Sequence, residues 1–242
     1  MAGIYFHIPF CKQACHYCNF YFTTSRRYLK EITEVLKLEL IQRKTFLNNE
    51  KVSSIYFGGG TPSLLPVAEI QELINTVKNE FEILPNLEIT LEANPDDLTE
   101  KYMDSLKKMT DVNRFSMGIQ SFHTEDLEWM NRAHDVSESY RSLELCKEYE
   151  YDNYNVDLIF GIPVSSTERW VENLEIIEGF RPNHISCYAL TVEPETALDH
   201  FIKSGKRLAP DDEKTTEQTS GLLRRNQPLP TKKCGDRFLT KR

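Results

Sequence analysis

The sequence predicts an α/β protein built on a parallel sheet, and three observations predict it. Six short runs rich in Ile, Val, Phe and Tyr alternate with longer stretches whose apolar residues step by three and four. The runs are mostly apolar through their length, as buried parallel strands are. The glycine clusters and the clustered cysteines follow the runs instead of preceding them. Parallel α/β folds place their chemistry at the C-terminal ends of the strands, so the six following loops would converge on one mouth.

The first run, GIYFHI (Gly3–Ile8), leads into three cysteines, Cys11, Cys15 and Cys18. Ser25 is the candidate cap for a helix carried by Leu29, Ile32, Leu36 and Leu40. The second run, VSSIYF (Val52–Phe57), is followed by GGGTP (Gly58–Pro62). Pro66 is then placed at the first helical position before Val67, Ile70, Ile74, Val77 and Phe81. The third run, Leu87–Ala93, ends in Glu92–Ala93–Asn94–Pro95 and precedes a helix over Thr99–Met109. Asn113–Ile119 forms the fourth strand, with Gln120–Ser121–Phe122 after it and a helix at Ser137–Tyr149. Tyr154–Phe160 is the fifth, followed by Gly161–Ile162–Pro163 and a helix at Thr167–Ile177. His184–Leu190 is the sixth, leading to Thr191–Pro194. Six such units fit an incomplete barrel or a doubly wound open sheet, and pattern alone does not choose.

At 242 residues, 40% hydrophobic and 27% charged, the chain can bury a sizeable core. Its formal charge of −8 argues against nucleic acid as a partner. No signal peptide opens it, and no apolar stretch approaches the ~18–20 residues of a membrane span. The expected address is cytoplasmic, where clustered cysteines serve metal or redox chemistry more than disulfides. The barrel unit is expected over residues 1–218. Residues 219–242 read as a basic, irregular tail, with seven Lys/Arg against one acid from Gly221 to Arg242. No strand or helix period survives there, and it reads as disordered or as a non-native continuation. Cys146 and Cys187 sit in a helix and a strand pattern and read as small core residues.

Cys11, Cys15 and Cys18 follow C-x3-C-x2-C. Thiolates are soft ligands that select zinc, copper(I) or iron–sulfur clusters. A closed zinc site wants four ligands, and only His7 and His16 lie near; His16, between two cysteines, would need an awkward backbone. A 4Fe–4S cluster fits better, because three thiolates hold three irons and leave the fourth open to a small chelating molecule. A zinc-stabilised binding module is the alternative.

C-x3-C-x2-C after a first strand, with Tyr17 before the last cysteine, resembles the radical S-adenosylmethionine superfamily. Tyr5–Cys11, Gly58–Ser63, Asn113–Phe122, Val156–Pro163 and Tyr188–Pro194 resemble one branch of it. That branch holds the oxygen-independent coproporphyrinogen III oxidases and the heme chaperones, and the similarity runs from residue 3 to about 218. The resemblance implies a partial (β/α)6 barrel and an open iron that binds S-adenosylmethionine, which an electron from the cluster then cleaves. It implies cofactor contacts from Gly58, Gly59, Gly60 and Thr61, whose backbone comes close to the cofactor's amino-acid end. Glu92, Gln120, Arg132 and Asp157 match its polar contacts, and Tyr5 and Tyr17 would pack on adenine or wall the cluster. The implied partners are heme or porphyrin, apo-hemoproteins of the respiratory chain, and an electron donor such as a flavodoxin or ferredoxin.

One departure separates the two members of the branch. The oxidase continues its motif with C-x-C, whereas this chain reads Cys18–Asn19–Phe20. The resemblance implies that the missing cysteine serves propionate decarboxylation, and the chain also lacks the oxidase's longer N-terminal arm. The expectation is therefore a heme chaperone with coproporphyrinogen oxidation as the alternative. The resemblance further implies a C-terminal domain with a His-Asn stretch that contacts heme, which the sequence does not contain.

Overall fold

The computed structural model describes residues 1–225. Residues 226–242, with Cys234 and most of the expected basic tail, lie outside the described residues. Six strands alternate with helices in the order expected: β1 (Ala2–Ile8), β2 (Val52–Gly59), β3 (Ile83–Ala93), β4 (Arg114–Gln120), β5 (Tyr154–Phe160) and β6 (His184–Ala189). The helices are α1 (Glu31–Gln42), α2 (Val67–Glu80), α3 (Glu100–Met109), α4 (Thr124–Met130), α5 (Val136–Glu148), α6 (Thr167–Phe180), α7 (Ala197–Lys203) and α8 (Asp212–Arg225).

Every strand pair is parallel and the sheet order is β1-β2-β3-β4-β5-β6. A doubly wound sheet reverses its strand order at a switch point and carries helices on both faces. Here the order never reverses. One face of the sheet presents Phe6, Ile8, Ile55, Phe57, Leu91, Phe115, Met117, Val156 and Leu158 to a single core. The helices meet that core through residues such as Ile74 and Val77 of α2, Met103 and Leu106 of α3, and Trp170 and Ile177 of α6. Each such side chain contributes ~1.5–3 kcal/mol by leaving water, which makes this face the main source of stability. The fold is the partial (β/α)6 barrel.

The opposite face is polar, and this the apolar reading of the strands did not anticipate. Tyr5, Tyr56, Thr90, Glu92, Ser116, Asn155, Asp157 and Ser186 alternate with the core residues along their strands. Thr90, Ser116 and Asn155 are nonetheless buried. The central strands β3, β4 and β5 are buried on both sides at these positions, but the second side is lined with hydrogen-bonding groups, such as Asn155 Nδ2 donating to Ser116 Oγ at 2.9 Å. This is the inner wall of the barrel.

Helix starts follow local capping chemistry. Thr99 and Ser166 accept from the amides of Tyr102 and Arg169, and Asp135 forms a reciprocal capping box with Glu138. Two expected starts move. The Ser25 amide donates to Thr23 Oγ1 at 3.1 Å, inside a loop, and α1 begins later, at Glu31. Pro66 stands one position before the helix with an extended ψ of 136°, and α2 begins at Val67. The segment expected to lose all helical period at residue 221 continues α8 to Arg225.

Candidate functional site

The cysteine loop is pinned at both ends by backbone bonds. Cys11 N donates to Thr23 O at 3.0 Å and Thr23 N to Pro9 O at 2.7 Å, which closes the loop on itself. Gly60 N and Thr61 N donate to Ile8 O and Phe10 O at 2.8 and 2.7 Å, binding the loop to GGGTP. A Cβ on Gly60 would stand 2.6 Å from Phe10 O, so only glycine permits this approach. From the far side, His16 N donates to Met130 O, and Asn131 Nδ2 donates to Ala14 O at 2.7 Å.

The three thiols are half-buried, free of disulfides, and close enough to act on one another. Burial pushes Cys11 up, and the Cys15 thiol adds to the rise while the Thr61 hydroxyl opposes it. Burial, with smaller additions from Cys15 and Cys11, pushes Cys18 up to about 11 against the opposing Phe20 backbone. Among the described residues, no three of His, Cys, Asp and Glu are drawn together tightly enough for one metal ion. A cluster that takes each thiolate on a different iron does not need the sulfurs to converge on one point, as a closed zinc site does. His16 is turned away: its Nδ1 meets Trp129 O at 3.2 Å and its ring packs edge-on against Phe201. His7 lies between Tyr5 Oη, 3.3 Å from its Nδ1, and Tyr21 O, 3.2 Å from its Nε2.

Behind the thiols stands Arg132, in the loop after α4. Its Nη1 donates to Cys15 Sγ and Tyr17 Oη, both at 3.3 Å, and its Nη2 to Asn94 Oδ1 at 2.7 Å and Gly118 O at 2.9 Å. Gln120 ends β4 in the left-handed region, φ +67°, where the register with β5 shifts. That turn sends its side chain back over Gly118, whose Cβ would lie 2.9 Å from Gln120 Nε2 and 3.2 Å from Arg132 Nη2. Two buried atoms here lack partners, Arg132 Nε and Gln120 Oε1. A buried donor and acceptor left unpaired are costly, and a polar ligand in this space would satisfy both.

Glu92 gathers a second group. Tyr56 Oη donates to its Oε1 at 2.7 Å and Gly59 N to its Oε2 at 3.1 Å, while Gly58 has Tyr5, Tyr56 and Glu92 packed against it. Burial raises the Glu92 carboxyl, and Asp157, close enough to be felt, raises it further. Asp157 is itself raised by burial, with Asn155 Nδ2 donating to it at 2.7 Å. The structure thus brings Cys11, Cys15, Cys18, Tyr17, Thr61 and Arg132 into one group and Tyr5, Gly58, Gly59 and Glu92 into another. Gly60 lies between the two groups, Gln120 beside the first, and Asp157 on the same wall as Glu92. Asn94 and Gly118 stand inside stretches that the sequence singles out, but neither they nor Tyr56 were expected to be site residues. Asn94 bridges Arg132 and Thr61, its Nδ2 donating to Thr61 Oγ1 at 3.2 Å.

A family model described as the radical SAM superfamily matches residues 5–177, more than half of the chain. The chain belongs to the radical SAM superfamily. Membership implies a 4Fe–4S cluster and S-adenosylmethionine, and the three spaced thiols and the unsatisfied polar pair fit them. Within the superfamily the chain is 37% identical to the heme chaperone HemW of Buchnera aphidicola over 81% of its own length and 52% of that protein. It is 32% identical to the HemW of Bacillus subtilis, covering 90% of this chain and 58% of that one. The structure resembles coproporphyrinogen III oxidase (HemN) from Escherichia coli, described as a radical SAM enzyme. The TM-score is 0.80 at 26% identity, over 92% of this chain and 51% of the other. The chain spans about half the length of these relatives. No helix among the described residues is long and apolar enough to cross a membrane.

Proposed function

We propose that this chain is the cluster- and cofactor-binding barrel of a heme chaperone, which binds heme and passes it to apo-hemoproteins. The observation that carries the reading is the match to heme chaperones at up to 37% identity, against 26% for the oxidase structure. The barrel unit is the segment 1–218 together with the remainder of α8. Cys11, Cys15 and Cys18 hold the cluster, and each must give up a proton to do so, so assembly releases protons and favours raised pH. The Thr61 hydroxyl eases deprotonation of Cys11 against the cost of burial, and Arg132 presents a cation to Cys15.

Three GGGTP amides are already committed, Gly59 N to Glu92 and Gly60 N and Thr61 N to Ile8 O and Phe10 O, so the loop would meet the cofactor's amino-acid end through its carbonyls. Arg132 Nε is a free donor for a carboxylate, and Gln120 Oε1 a free acceptor for an ammonium or hydroxyl. Glu92 and Asp157 supply negative charge to the opposite wall, and Tyr5 and Tyr17 supply ring surface. When bound, S-adenosylmethionine beside a reduced cluster is a source of a carbon radical; the protein's part is to orient it and exclude water.

Coproporphyrinogen oxidation is the second reading, favoured by the TM-score of 0.80 to HemN. Phe20, where that enzyme's motif would carry a further cysteine, is 69% exposed. Anaerobic reconstitution followed by iron analysis and heme titration separates the readings. We expect about four irons per chain, saturable heme binding, and no conversion of coproporphyrinogen with reductant and S-adenosylmethionine. Single replacement of Cys11, Cys15 or Cys18 by Ala should remove most of the iron. Conversion would replace the chaperone reading with the oxidase, and zinc uptake without a cluster would remove both.

A further inference from the structure

The residue after the first cluster ligand belongs to a charged clamp that the radical SAM motifs do not include. Lys12 Nζ contacts Asp96 Oδ2 at 2.5 Å and pairs with Asp97 Oδ1. Asp97 Oδ2 accepts from Ser63 Oγ at 2.7 Å. One carboxylate therefore joins three strand-end loops: the cysteine loop through Lys12, the GGGTP loop through Ser63, and its own loop after β3. That last loop also carries Asn94, which holds Thr61 and Arg132.

The clamp is not a surface ion pair. The side chains of Asp97, Asp96 and Lys12 are 4%, 9% and 30% exposed, so salt and water screen them poorly. It is also unbalanced, with one ammonium against two carboxylates. A cleft of about 380 Å³, lined by Lys12, Ser63, Asp96, Asp97 and Tyr102 among others, opens on its outer side. Lys12 follows Cys11 directly in the chain and pairs with Asp97, so both charges stand beside the first thiolate ligand. Reduction adds negative charge to a cluster, and nearby fixed charge shifts that equilibrium.

We propose that Lys12 and Asp97 are positioning residues that set the reduction potential of a cluster on Cys11, Cys15 and Cys18. Lys12 raises the potential, and Asp97 lowers it while locking the three loops. The proposal rests on the cluster reading above and assigns its electrostatic control.

The test is a spectroscopic redox titration of the full reconstituted chain, with iron content and Tm measured beside it, at about pH 8 so that the acids stay ionised. Lys12→Met should make the potential more negative and Asp97→Asn more positive, each by about tenfold in the reduced-to-oxidised ratio at fixed potential, ~59 mV for one electron. Lys12→Arg should keep the wild-type potential. If Asp97→Asn fails to fold, Asp96→Asn removes a carboxylate from the same clamp and should shift the potential in the positive direction. A clamp that is only structural would lower iron content and Tm in both variants with no opposite shifts, which would overturn the proposal. A wild-type chain that assembles no cluster would instead overturn the reading of the site, while a cluster whose potential ignores both Lys12→Met and the carboxylate replacement would overturn only this inference.

Discussion

Gly118 shows how a single residue can be decisive and yet silent in a sequence. Its carbonyl accepts from Arg132 Nη2, and its bare Cα leaves room for the Gln120 and Arg132 side chains. A methyl group there would press on both, at 2.9 and 3.2 Å, without meeting backbone. Gly118→Ala should therefore weaken S-adenosylmethionine binding by about tenfold or more, the scale of ~1.4 kcal/mol, while costing little stability. Calorimetric titration of the reconstituted protein checks this; unchanged affinity would detach Gly118 from the site. The cysteines and GGGTP were legible because their chemistry is carried by adjacent residues. Asn94, Gly118 and the Lys12–Asp97 pair were not, because their roles arise where distant loops meet. Asp97 is one of many acids in the sequence, and nothing local says that it will be buried beside Lys12.

At the scale of elements, the strands were legible to within two residues, since β-branched and aromatic runs have few other uses; the exception is β3, which begins at Ile83, four residues before the expected run. The polar inner face was the part missed: in Tyr154–Phe160 the apolar majority outweighs Asn155 and Asp157, so a two-sided strand reads as uniformly buried. Helices α4, α7 and α8 were missed for a different reason. The first two are only seven residues long, too short to establish a period, and α8 is largely polar. What fixes α8 is contact, not pattern. Lys214 Nζ donates to the carbonyls of Ile162, Pro163 and Ser165 at 3.0, 3.0 and 2.9 Å, and Gln218 Oε1 accepts from Gly161 N at 2.7 Å. Gly161 has φ +77°, and a Cβ there would lie 2.8 Å from Thr215 Oγ1. The helix is thus a latch over the loop that follows β5. Removing a charged donor from several carbonyls costs ~1.5–3 kcal/mol. Lys214→Met should accordingly lower Tm by several degrees, at ~2–4 °C per kcal/mol for a chain of this size. It should also speed amide exchange in residues 161–166 while leaving β1 and β2 unaffected. A uniform change across the sheet would mean that α8 is no local latch.

The molecule as a whole carries an acid sensitivity that arises from how the barrel wall was filled. His134 is 3% exposed, with Nε2 against Ile119 O at 3.0 Å and Nδ1 buried without a partner. Burial, reinforced by the neighbouring Arg132 cation, holds its pKa down to about 3, although the Ile119 carbonyl and Asp135 pull the other way. The unfolded chain takes up this proton near the ordinary histidine value, the folded chain only near the lower one. The unfolded state therefore binds more protons across that window, and the stability that neutral His134 contributes is complete above ~6.5 and lost as pH falls toward 3. The loss is on the order of a few kcal/mol. Glu92, Asp97 and Asp157 act in the opposite sense, since burial raises all three and folding favours their protonated forms. Their contribution grows as pH falls through the range just above the ordinary carboxylate values, and so offsets the histidine only at the acid end. Between about pH 7 and about pH 5.5 the histidine term should dominate. Urea unfolding across that interval should give a midpoint that falls with pH in the wild type. His134→Gln, whose amide can still donate to Ile119 O, should flatten the slope; an unchanged slope would place the acid sensitivity elsewhere in the barrel.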